Sequence, residues 1–99
     1  MSNTIMFISF NLVKGASVPD FLAASEKLHN EFMSKQKGYI SWQQLVDGDI
    51  WVDMLTWKSM EDSKNADEAS CTSTAAMEYY SFIDQESCKV QFYSVERSY

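Results

Sequence analysis

Ninety-nine residues suffice for one domain, and a chain this short hides only roughly 60 to 68% of its unfolded surface, so a single-copy core is modest. Three Trp, five Tyr, six Phe and six Met beside three Gly and one Pro exclude a disordered chain. Fourteen acidic against eight basic side chains give a formal charge of −6, which excludes phosphate backbones and anionic membranes as partners of the general surface.

No apolar stretch approaches the ~20 residues that a membrane-spanning helix needs. The run Ile5 to Val13 is interrupted by Ser9 and Asn11 and has neither a basic start nor a cleavage motif. A cytoplasmic protein is therefore expected, with Cys71 and Cys88 as reduced, buried thiols.

In chain order, Thr4 to Val13 (TIMFISFNLV) reads as a strand with apolar groups on both faces. Ser17-Val18-Pro19-Asp20 is a capping box that opens a helix, along which Phe21, Ala24, Leu28 and Phe32 form the apolar stripe. Lys35, Lys37 and Gly38 are suited to close it. Tyr39 to Val46 and Ile50 to Trp57 flank Asp47-Gly48-Asp49 and predict an antiparallel hairpin.

Ser59-Met60-Glu61-Asp62 repeats the capping pattern before a second helix with a thin stripe of Met60, Ala66 and Ala69. Propensity drops over Ser70 to Ser73, so a kink is expected there, with Thr72 capping a further helical piece whose inner face is Ala76, Tyr79, Tyr80 and Ile83. Lys89 to Val95 is the last strand. There is no linker or repeat, so residues 1–99 read as one α+β domain of ferredoxin-like β-α-β-β-α-β order, a four-stranded antiparallel sheet with its helices on one face.

Two helices cover one face of such a sheet. Aromatic residues occur at both side-chain parities of the strands (Phe7, Phe10, Trp42, Trp51, Trp57, Phe92, Tyr93), which predicts an apolar open face and hence a homodimer.

With Asn11 at the end of the first strand, the Asp47-Gly48-Asp49 hairpin and the run from Trp51 to Trp57 leading into Ser59-Met60-Glu61-Asp62, the chain resembles the antibiotic biosynthesis monooxygenase-like domains of the dimeric α+β barrel superfamily. The resemblance implies an obligate dimer and a pocket between sheet and helices that oxidises or isomerises small cyclic compounds without metal or flavin. It also implies pocket roles for Asn11 and Trp57, by analogy with relatives that degrade haem. The histidine those relatives use as an iron ligand has no counterpart here, since Asp67 stands about where it would fall, so haem degradation is disfavoured.

Asp53 lies mid-strand among apolar neighbours, and a buried carboxylate without a cation has the raised pKa of a general base; the bland alternative is a rim charge that discourages strand aggregation. His29, the only histidine, is a candidate proton acceptor at the edge of the first helix's stripe, or a half-exposed spacer. Trp42, Trp57 and Tyr80 would wall a pocket for a flat ring, or simply be core.

No metal site is expected from one histidine and two separated cysteines, and no cofactor is called for. Two functions follow: a cofactor-independent monooxygenase-like or isomerase-like enzyme for a small aromatic or quinoid compound, or a non-catalytic dimeric module that binds a small hydrophobic ligand or another protein.

Overall fold

The computed structural model describes residues 2–99. The elements are β1 (Thr4–Phe10), α1 (Val18–Glu31), β2 (Tyr39–Asp47), β3 (Ile50–Trp57), α2 (Met60–Ser70), α3 (Thr74–Tyr80) and β4 (Lys89–Ser94), with single 3₁₀ turns at Met33–Lys35 and Gln85–Ser87. The sheet is wholly antiparallel in the order β2-β3-β1-β4, as two interleaved βαβ halves require. This is the expected ferredoxin-like arrangement.

Local chemistry sets the boundaries. Ser17 Oγ accepts from the Asp20 amide and Ser59 Oγ from the Asp62 amide, so both serines of the predicted capping boxes start helices. In the hairpin Asp47 pairs with Ile50, and Gly48 alone takes a positive φ of 61°, the signature of a two-residue type II′ turn. Gly38 has φ 80°, and a Cβ there would overlap the Asp62 side chain, so only glycine lets the chain enter β2 beside the first turn of α2.

Four details differ from the sequence reading. Regular pairing of β1 stops at Phe10, because the Asn11 amide donates to Ser87 Oγ and Leu12 bridges Ile83 instead. The cap of α3 is Ser73, which accepts from the Ala76 amide, whereas Thr72 donates its hydroxyl back to the Ala69 carbonyl. The inner stripe of α2 is Ser63, Ala66 and Ser70, a phase that leaves Ala69 exposed. Cys71 is exposed and Cys88 half-buried, since Cys71 caps the C-terminal end of α2 and Cys88 that of the Gln85–Ser87 turn.

The core lies between the sheet and the helices: Phe10, Trp51, Leu55 and Trp57 from the strands meet Phe21 and Leu28 of α1 and Ala76 and Tyr79 of α3. Phe21 stacks on Tyr79 with ring centroids 5.2 Å apart, and Lys27 Nζ lies 3.0 Å from Glu78 Oε2, so α1 and α3 are joined both inside and at the rim. All three tryptophans lie on this covered side. The opposite face is therefore less aromatic than expected, yet it still presents Ile5, Phe7, Val52 and Met54 half-buried and Leu45 and Tyr93 exposed.

Candidate functional site

Strand β3 alternates strictly, so the parity that buries Trp51, Leu55 and Trp57 also buries Asp53, which is only 3% exposed. An acid placed by strand register among aromatic rings must find donors or lose its charge. Asp53 finds one: the Tyr79 hydroxyl, carried in by α3, donates to Oδ2. Among the described residues the other oxygen, Oδ1, is buried without a hydrogen-bond partner, and the buried indole N–H groups of Trp42 and Trp57 are likewise unpartnered.

Burial pushes the Asp53 carboxyl up to about 6, against the opposing pull of the Tyr79 hydrogen bond. Gln44 sits opposite Asp53 in the β2–β3 register and is tethered elsewhere, its Nε2 donating to Ser25 Oγ at 2.9 Å. The Tyr79 phenol is driven far above its ordinary range by burial and by the neighbouring Asp53 charge, so it remains a donor. A group that exchanges a proton near neutrality is thus held beside one that does not.

Asp53 forms the floor of a cleft in two connected parts. The inner part, about 60 Å³, is enclosed chiefly by Trp42, Trp57, Leu55, Phe32 and Tyr79. The outer part, about 500 Å³, opens between α2, α3 and β4 past Tyr80, Cys71, Cys88 and Val90. Both parts share Asp53, Asp67, Ser70, Tyr79 and Tyr80. The outer volume is of the order that accommodates a small ring.

Of the residues singled out in the sequence, Asp53, Trp42, Trp57 and Tyr80 come together here. Tyr80 is 39% exposed and stands at the entrance, its phenol raised first by burial and then by Asp67 and Asp53. His29 does not reach the cleft: its Nδ1 lies 3.2 Å from the Tyr39 hydroxyl, in a surface groove on the other side of Trp42. Asn11 is also elsewhere, because β1 has already left its regular pairing; its Nδ2 donates 2.8 Å to the Asp49 carbonyl and ties the hairpin turn down.

Sequence reasoning missed the functional part of Tyr79 and Gln44. The helical spacing did put Tyr79 inward, but its partner depends on where α3 crosses β3, which no local pattern encodes. Among the described residues no group of three or more His, Cys, Asp or Glu side chains could hold a metal ion.

No protein-family model matches the chain, and no curated protein matches it in sequence. Solved structures do match its fold. SnoaB, a cofactor-independent oxygenase from Streptomyces nogalater, superposes with a TM-score of 0.75 at 10% identity over 99% of this chain and 97% of its own. An antibiotic biosynthesis monooxygenase-like protein from Nitrosomonas europaea gives 0.72 at 13% identity over 95% of this chain and 90% of its own, and a monooxygenase-like protein from Shewanella loihica PV-4 gives 0.65 at 20% identity over 99% of each. The chain has the fold of these monooxygenase-like proteins. At such identities the shared feature is the backbone, and the site rests on the residues of this chain.

Proposed function

We propose that the protein is a cofactor-independent monooxygenase-like enzyme acting on a small aromatic or quinoid compound, with Asp53 as the proton acceptor. The observation that carries this reading is the unpartnered Oδ1 of a buried carboxyl at the floor of an aromatic-walled cleft. A pKa near the working pH is what a general base needs, and the Tyr79 hydroxyl fixes the carboxylate's orientation through its other oxygen.

In the reaction Asp53 takes the hydroxyl proton of a phenol or quinol. The resulting anion gives one electron to dioxygen, and the substrate radical and superoxide combine through a new C–O bond. The peroxide receives the proton back from Asp53, the O–O bond breaks as the ring C–H proton leaves, and a quinone and one water result. Trp42, Trp57 and Tyr80 hold the ring and exclude solvent. Proton removal and return without dioxygen would make the same site an isomerase.

The apolar open face supports pairing with a second copy through the sheet, which would bury Phe7, Val52, Met54 and Tyr93. Among the described residues no helix is long and apolar enough to cross a membrane.

One feature favours the second reading, a non-catalytic dimeric module: the inner part of the cleft, at about 60 Å³, holds a few waters rather than a ring until side chains move. Oxygen uptake with a panel of phenols and quinols that raise the melting temperature separates the two. Turnover by the wild type and its loss by at least about 100-fold in Asp53→Asn supports the enzyme. Ligand binding without oxygen consumption or isomerised product leaves the module, and unchanged turnover in Asp53→Asn removes Asp53 from the chemistry.

A further inference from the structure

The two parts of the cleft share two acids of unlike setting. Asp53 is buried on the floor with Oδ1 unpartnered among the described residues, while Asp67, in the last turn of α2, is exposed where the cleft meets solvent. Between them stands Tyr80, whose phenol feels both carboxylates and the Ser70 hydroxyl. Among the described residues no Lys, Arg or His lines either part, although the chain has eight Lys and Arg and one His. Such a lining repels a carboxylate or phosphate and suits a ring with a positive charge, because acids next to aromatic faces favour ammonium groups by charge and by cation–π attraction.

Resting on the reading of Asp53 as proton acceptor, we propose that the substrate class is a phenolic ring bearing a cationic amine on a short chain, with its hydroxyl donating to Asp53 Oδ1 and its ammonium meeting Asp67 at the mouth. Asp67 is then the residue that sets specificity. Asp53 sees a phenol whatever the substituent, whereas only an amine gains from Asp67. The outer volume of about 500 Å³ takes a two-carbon side chain beside the ring.

Three matched probes test this by isothermal titration: tyramine, 4-ethylphenol and 3-(4-hydroxyphenyl)propionate, which share one phenol and differ in charge. Tyramine should bind about fivefold tighter than 4-ethylphenol, an advantage that shrinks as salt is added, and the propionate should bind weakest. Asp67→Asn should bring tyramine to the level of 4-ethylphenol, whereas Asp53→Asn should weaken all three alike. Equal affinity for tyramine and 4-ethylphenol, a propionate as tight as tyramine, or an unaltered preference in Asp67→Asn overturns the inference and leaves the role of Asp53 standing. If none of the three binds, both fall.

Discussion

The two faces of β3 differ in what a neighbour can do for them. On the covered side Trp51, Asp53, Leu55 and Trp57 are sealed by helices of the same chain, and the polar atoms there are left with too few partners. On the open side Val52, Met54 and Thr56 are only half-buried. The covered face therefore carries unmet hydrogen-bonding demand, and the open face unmet apolar area. The first kind of deficit is answered by a small polar ligand, the second by a protein surface.

The largest test of this contrast is Trp57→Ala. Its indole is 1% exposed, so its removal should cost about 3–5 kcal/mol, measured by urea denaturation, and enough of the fold's stability to leave the variant marginal. A loss below about 1 kcal/mol would mean that the covered side is loosely packed.

Asp53→Asn should act in the opposite sense. A carboxyl whose pKa rises from 3.8 in the unfolded chain to about 6 in the folded one binds its proton more tightly when folded. Stability is then highest below pH 4 for this group and falls as pH rises toward and through 6, by up to about 3 kcal/mol. Asn keeps an acceptor for Tyr79 without the buried charge. At pH 8 it should raise the melting temperature by roughly 5–10 °C, and the advantage should vanish near pH 4. A variant that melts lower at pH 8 would show that the charge is well solvated.

Tyr79→Phe removes the one hydrogen bond that the Asp53 carboxyl has among the described residues and should cost about 1–3 kcal/mol at pH 8, less at pH 4, where the carboxyl is protonated. A pH-independent loss would assign Tyr79 to packing alone, against Phe21 and Trp42.

On the open side Val52→Lys should change the stability of the single chain by less than about 0.5 kcal/mol. It should also turn a particle of twice 11.4 kDa into one of 11.4 kDa by light scattering. A wild type that is already 11.4 kDa at micromolar concentration would remove the proposed pairing.

The strands, the hairpin and both helix starts were legible because each rests on chemistry within a few residues: period-two alternation, Gly48 in the turn, Ser17 and Ser59 as caps. Asp53 was legible for a similar reason, since an acid at a buried parity stands out against Trp51, Leu55 and Trp57. What was not legible depends on crossings between distant segments. The phase of α2, the meeting of Tyr79 with Asp53 and the distance of His29 from the cleft follow from how each helix lies on the sheet. Asn11 misled for a related reason, as the chain bends away from β4 just where a longer strand would have kept it in register.

The central position of β1 has a consequence for how the chain is made. Its segment TIMFISF pairs on one side with residues 51–57 and on the other with residues 89–94. At the usual ribosomal pace of 5–20 residues per second, roughly 5–15 s pass between the emergence of β1 and that of its last partner. Until residues 51–57 emerge a β-prone stretch without charge or proline has no mate in its own chain, and until residues 89–94 follow one of its edges stays open, so a chaperone or a cotranslational helper is the natural cover for it.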